Sequence, residues 1–125
     1  MRMTWTLVLI GGGGVMAILF GMKQFGLVRP NKARILLRQR ALVVDVRTDA
    51  EYRRGHLPGS INLPLSSLPT AIKQRAPKTS QVVLMYCGSG TRSGVGRRML
   101  KQMGYHSVFN LGGYRRAAHI LRGSV

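Results

Sequence analysis

The stretch Val82-Val83-Leu84-Met85-Tyr86-Cys87-Gly88-Ser89-Gly90-Thr91-Arg92-Ser93 decides how this chain is read. Its first half is an unbroken apolar run, the pattern of a strand buried on both faces. Its second half is a short, glycine-bearing turn opened by Cys87, the only cysteine of the chain. From Ser93 to Gly104 the pattern turns helical, so the turn lies between a strand's carboxyl end and a helix N-terminus. Open α/β sheets bind their ligands at such a place. Unpaired backbone N–H groups and the helix dipole favour an anion there, and therefore thiolate over thiol. Arg92 adds a permanent cation with a two-pronged donor fork. A lone cysteine is ordinarily a small buried hydrophobe. The strand, Gly88, Gly90 and Arg92 together mark Cys87 as a candidate nucleophile.

On both sides of this stretch, apolar strands alternate with amphipathic segments. A helix is expected over Ala33–Gln39 and a buried strand over Ala41–Val46. Thr48-Asp49-Ala50-Glu51 has the spacing of a capping box, opening a short helix that runs to Arg54. Gly55-His56-Leu57-Pro58-Gly59 reads as a turn and Ser60-Ile61-Asn62 as a short strand. A helix follows over Leu65–Arg75. Beyond the central strand come the helix capped by Gly104, a strand at Ser107–Asn110 and a last helix over Tyr114–Leu121. This alternation predicts an α/β fold with a parallel sheet flanked by helices.

With 125 residues the chain has room for one domain of ordinary size. Its apolar residues are unevenly spread, for Met3–Met22 contains no charge at all. At about 1.5 Å per residue that run is long enough to cross a hydrocarbon core of roughly 30 Å. A cleaved leader fits less well, because only Arg2 precedes the run and no A-x-A-like site follows it. The reading is therefore one N-terminal transmembrane helix, with residues 1–28 as anchor and juxtamembrane segment and 29–125 as the domain. Lys23, Arg29, Lys32, Arg34, Arg38 and Arg40 follow the run, which places the domain on the cytoplasmic side of a single-pass membrane protein, of bacterial inner-membrane type. An unpaired cysteine agrees with a reducing compartment. Gly13, Ala17 and Gly21 fall on one helix face, a small-residue stripe through which two anchors can pair as a homodimer.

The formal net charge is +17. Clustered cations suit nucleic acid, but the arginines here are scattered and no aromatic RNA-binding motif accompanies them. Anionic lipid headgroups facing the juxtamembrane cluster are the simpler partner, so no nucleic acid is expected. His56, His106 and His119 lack ligand spacing with any acid or cysteine, and no metal site is expected.

Val44-Asp45-Val46-Arg47, Glu51-Tyr52, Gly55-His56-Leu57-Pro58-Gly59-Ser60 and Ile61-Asn62-Leu63-Pro64 resemble the first signature of the rhodanese-like family. Cys87-Gly88-Ser89-Gly90-Thr91-Arg92-Ser93 resembles its active-site loop, and Leu111-Gly112-Gly113 its closing glycine pair. The resemblance covers about residues 30–122. It departs at Ala117, where the family commonly carries tryptophan, and in a shortened start between Val28 and Ala41. The resemblance implies sulfur transfer through a Cys87 persulfide, without a cofactor, from a donor such as thiosulfate or polysulfide to an acceptor thiol, a protein or cyanide.

In that scheme Cys87 and Arg92 are catalytic, and Gly88, Ser89, Gly90, Thr91 and Ser93 cradle the sulfur. Gly88 and Gly90 supply the unusual backbone angles, while Ser93 either donates to the thiol or caps the helix. Asp45 and Arg47 are possible supporting residues, Asp45 as an acceptor for loop N–H groups. Arg47 and Glu51, four residues apart, read as a local ion pair. Two other functions compete: a docking or regulatory module without turnover, and a cysteine phosphatase or arsenate reductase. The latter use a C-x5-R loop around a whole oxyanion, whereas Arg92 here makes a tighter C-x4-R ring.

A reporter fused to residues 1–28 should stay in the membrane fraction after alkaline washing; its release would refute the anchor. Ala17→Ile should abolish self-association in a membrane-helix reporter while leaving insertion intact.

Overall fold

The computed structural model describes residues 14–15 and 26–124. The apolar run Met3–Met22 and its small-residue stripe lie outside the described residues, Gly14 and Val15 apart. Among the described residues no helix is long and apolar enough to cross a membrane.

The elements follow in the order α1 (Pro30–Arg38), β1 (Leu42–Asp45), α2 (Asp49–Arg54), β2 (Ile61–Asn62), a 3₁₀ turn (Leu65–Ser67) and α3 (Leu68–Arg75). Then come β3 (Val83–Cys87), α4 (Thr91–Gln102), β4 (Val108–Gly113) and α5 (Tyr114–Arg122). The strands form one sheet in the order β2-β1-β3-β4, every neighbouring pair parallel. The parallel, helix-flanked sheet read from the alternation is the sheet observed.

The two faces of β3 feed two cores. Val83, Met85 and Cys87 pack with Val44, Leu68, Ile72, Leu100 and Val108, under α3 and α4. Leu84 and Tyr86 pack with Val43, Leu111, Ala117 and Ile120, under α1 and α5. All five residues of the strand are buried, so both faces exclude water and the apolar run needs no polar alternation. Cys87 therefore belongs to the α4 side, at the last position of the strand. Ala117, where a tryptophan was expected from the resemblance, is fully buried against the α1 side.

Local signals set most of the element ends. Thr48 and Glu51 form the capping box in full, Thr48 Oγ1 accepting from Glu51 N and Glu51 from Thr48 N. At the end of α4 the N–H of Gly104 donates to Lys101 O and that of Tyr105 to Leu100 O. This is a Schellman closure, and Gly104 takes the positive φ (99°) it demands. Several ends differ from expectation: α1 starts at Pro30 and not at Ala33, and a 3₁₀ turn over Leu65–Ser67 opens the helix expected from Leu65. The helix after the loop starts at Thr91, with Gly90 as its N-cap in a left-handed conformation, so Ser93 lies inside the first turn and is not the cap. The last strand runs on to Gly113 instead of stopping at Asn110. It does so through a bulge: Met85 faces Asn110 but Tyr86 faces Gly112, leaving Leu111 as the extra residue.

Residues ahead of α1 also join the sheet. Leu27 bridges Asn110 in parallel, and Val28 is buried with its N–H on Asn110 O. Arg116 ties this segment down, donating to Val28 O at 2.6 Å and to Leu111 O at 2.8 Å.

Leu100 is fully buried between α4 and β3. Leu100→Ala should destabilise the domain by about 2–5 kcal/mol, read as a lower urea midpoint with an unchanged slope.

Candidate active site

The turn after β3 is built glycine against glycine. Gly90 has φ 95°, and a Cβ there would lie 3.2 Å from the backbone of Gly112. A Cβ on Gly113 would meet the carbonyl oxygen of Gly88 at 2.7 Å. Ser89 bridges Gly113, and Tyr114 N–H donates to Gly88 O. The closing glycine pair, bare of side chains, thus lets the Cys87 turn lie directly on the end of β4. Of the two glycines in the turn, only Gly90 takes a positive φ; Gly88 does not need one. Instead, a Cβ at Gly88 would sit 3.3 Å from the Arg92 guanidinium, which crosses over it.

Cys87 Sγ lies at the floor of this turn, buried, and accepts the Gly90 N–H at 3.0 Å. Burial alone pushes the thiol pKa up. The Ser93 hydroxyl and the N–H groups of Ser93, Gly90 and Ser89 together outweigh it, so the net shift is downward. Four donors thus make a thiolate tenable in a dry site. Ser89 reaches the sulfur through its N–H only, for its exposed hydroxyl faces that of Thr91 at 3.4 Å.

Asn110, which the sequence offered only as a strand residue, organises the donors. Its Nδ2 donates to Gly90 O at 3.0 Å, and its Oδ1 accepts from Gly112 N at 2.8 Å and from Ser93 Oγ at 2.7 Å. The Gly90 peptide is thereby held with its C=O on Asn110 while its N–H meets the sulfur. Ser93 Oγ also lies 3.4 Å from Sγ, but a hydroxyl has one proton. Asn110 Oδ1 at 2.7 Å and Gly90 O at 3.1 Å are both nearer acceptors for that proton than the neutral thiol; ionised sulfur is the competitor that draws it away. A buried asparagine two residues before the glycine pair was the available signal, and it is indistinct in a sequence.

The charged residues are distributed differently from expectation. Arg47 does not pair with Glu51. Its guanidinium closes on Asp45, Nη2 to Oδ2 at 2.7 Å and Nε to both oxygens at 3.0 Å, with a further donation to Gly55 O. Asp45 is fully buried and also accepts the Arg47 N–H, so it serves its own strand end and not the Cys87 turn. This pair, packed on the Tyr114 ring at 5.0 Å, pins the 55–60 turn. Tyr86 Oη strengthens the same turn, accepting from Leu57 N and bonding Ser60 Oγ. His56 stacks on Tyr52 with ring centres 3.7 Å apart.

Glu51 pairs instead with Arg92. Nη1 donates to Oε1 at 2.7 Å and Nη2 to Oε2 at 3.0 Å, a two-pronged salt bridge. Arg92 holds the Glu51 carboxyl down to a pKa of about 2, against slight burial and with help from Thr48. The pair is therefore complete above the ordinary carboxylate range and is lost only as pH falls toward 2. Beside it opens a cleft of about 390 Å³ lined by Arg47, Glu51, Arg54, Gly55 and Tyr114.

The family described as rhodanese-like domain matches residues 30–118. The thiosulfate sulfurtransferase PspE of Escherichia coli is 36% identical over 72 residues, 58% of this chain and 69% of that protein. The thiosulfate:glutathione sulfurtransferase of Saccharomyces cerevisiae is 35% identical over 78 residues, 54% of this chain and 56% of that one. The human single-domain sulfurtransferase TSTD1 superposes with a TM-score of 0.63 at 27% identity, over 75% of this chain and 96% of its own.

Ser93→Ala removes one donor from the sulfur, so the thiol pKa should rise. Because the thiolate is the reactive form, alkylation by iodoacetamide should slow at neutral pH and reach the parental plateau only at higher pH. An unshifted profile would mean the hydroxyl serves Asn110 and the Gly90 carbonyl and not the sulfur.

Proposed function

The chain belongs to the rhodanese-like domain family, and within it we propose a sulfurtransferase that carries sulfane sulfur on Cys87 as a persulfide. The observation that supports this most is the Cys87 sulfur itself, buried at a strand end yet met by the Gly90 N–H at 3.0 Å. An anionic sulfur chain needs that arrangement: donors without mobile water, and no side chain occupying the floor.

The first half-reaction is displacement at sulfur. Cys87 thiolate attacks the outer sulfur of thiosulfate; the S–S bond to the sulfonate breaks, and sulfite leaves with the bonding pair. The new Cys87 persulfide is an anion, and its terminal sulfur comes under the N–H groups of the turn. In the second half an acceptor thiolate, or cyanide in an assay, attacks that terminal sulfur and Cys87 thiolate departs. No electron is gained or lost overall, so no cofactor is required. Two covalent halves predict ping-pong kinetics. With no second cysteine in the chain, the sulfur must leave directly to another molecule.

Arg92 is the cation for the sulfonate of the donor and for departing sulfite. The ring from Cys87 to Arg92 is one residue shorter than a phosphatase loop, which suits one sulfur atom in preference to a tetrahedral phosphate. The apolar Met3–Met22 run would hold this chemistry at the cytoplasmic face of a membrane.

Treatment of the full-length chain with thiosulfate should add about 32 Da, one sulfur atom, and Cys87→Ala should add nothing. Absence of the adduct with every sulfane donor would favour a docking module. Arg92→Ala should lower kcat/KM for thiosulfate by about ten- to a hundredfold, the scale of one charge-assisted hydrogen bond. It should affect a persulfide donor, which carries no oxyanion, much less.

A further inference from the structure

Resting on the sulfur-transfer reading, we propose that Glu51 is an internal stand-in for the donor's oxyanion: it occupies the Arg92 fork in the free protein and yields it when the donor binds, so setting donor specificity. The geometry carries this. A carboxylate held through both oxygens at 2.7 and 3.0 Å uses the same two donors that a sulfonate would use. While Glu51 is there, the guanidinium that crosses the turn is not available to a ligand.

The exchange is physically open. The Arg92 and Glu51 side chains keep 39% and 32% of their exposure, so neither is sealed into the protein. Glu51 lines the cleft of about 390 Å³, so a small anion can approach the pair from the carboxylate's side. Arg54, on the wall of that cleft, has no ion-pair partner among the described residues and can draw the anion toward it. Arg47 cannot do so, being closed on Asp45.

A displaced carboxylate also has somewhere to stay. Oε1 already accepts from Thr48 N at 3.2 Å and from Thr48 Oγ1 at 3.1 Å, both within the capping box of α2. Losing Arg92 therefore leaves Glu51 held by its own helix end, and the exchange needs only a side-chain movement. Composition sharpens the point. The chain has 20 basic residues and three acidic ones, and one of those three is committed to the site's arginine.

Glu51→Gln tests it, because glutamine also serves at the third position of a capping box and α2 should persist. In the full-length chain the KM for thiosulfate should fall about fivefold with kcat nearly unchanged, the scale of freeing a part-exposed ion pair. Inhibition by sulfite should tighten to match, while the KM for glutathione persulfide, which has no oxyanion at its reacting end, should not move. An unchanged or higher KM for thiosulfate would overturn the proposal and make Glu51 a support that positions Arg92. An equal fall with both donors would overturn it too. Sulfate binding by calorimetry, compared in Cys87→Ser and Cys87→Ser/Glu51→Gln, reads the same exchange without chemistry. Tighter binding in the double variant supports the stand-in even if no persulfide ever forms; equal binding refutes it even if the parent protein turns over.

Discussion

Everything at the site depends on how closely the Cys87 turn lies on the end of β4. The two backbones leave no room for a side chain between them: a Cβ at Gly90 would lie 3.2 Å from the Gly112 backbone, and one at Gly113 would lie 2.7 Å from the Gly88 carbonyl oxygen. That approach orients the Gly90 peptide, with Asn110 receiving its carbonyl and its N–H left for the sulfur. It also needs the bulge at Leu111, which shifts the register so that Gly112 instead of Leu111 faces the turn. A side chain at Gly90 or Gly113 would lift the turn off the strand and take the donors away from Cys87.

The close packing settles a contest that burial would otherwise win. A thiol at the end of a five-residue buried strand sits in surroundings that favour the neutral form. Fixed N–H groups reverse the balance because they are already oriented and lose nothing when charge appears. Water could stabilise a thiolate as well, but would compete for it as a proton donor. A buried site with preset donors lowers the thiol pKa without bringing in a competing proton donor. Helix α4 contributes through its first turn, which begins at Thr91 and carries the Ser93 N–H that acts on the sulfur.

The parallel sheet, its order of elements and the place of the Cys87 turn between strand and helix could be read from the chain, and the reasons are local. Val82–Tyr86 is apolar without interruption, Thr48 and Glu51 have the capping spacing, and Gly104 ends a helix, each a signal contained within a few residues. What could not be read were choices made across distance. Glu51 has Arg47 one helical turn away in sequence, yet Arg92 reaches it across a separation of 41 residues. Arg47 is drawn off by Asp45, only two residues behind it, because consecutive strand-end residues can meet when the chain turns out of the sheet. Asn110 and Ser93 are 17 apart and carry no spacing rule at all. Partner choice among many arginines is a tertiary property, and a sequence with few acids and many bases leaves it undetermined.

That imbalance also explains where the acids are. Asp45, Asp49 and Glu51 are the three acidic residues of the chain, and each meets an arginine: Arg47, Arg53 and Arg92. All three lie within one short segment in front of the site, while the remaining surface is left strongly cationic. A field of that sign draws small anions indiscriminately and would raise their local concentration at any exposed guanidinium. A carboxylate on Arg92, which crosses the Cys87 turn, counters this locally, since an anion must then displace a paired ligand and not merely arrive. Two-pronged oxyanions can match the carboxylate's geometry; chloride and other spherical ions cannot. The general attraction comes from the whole chain, and the discrimination from one residue placed against it.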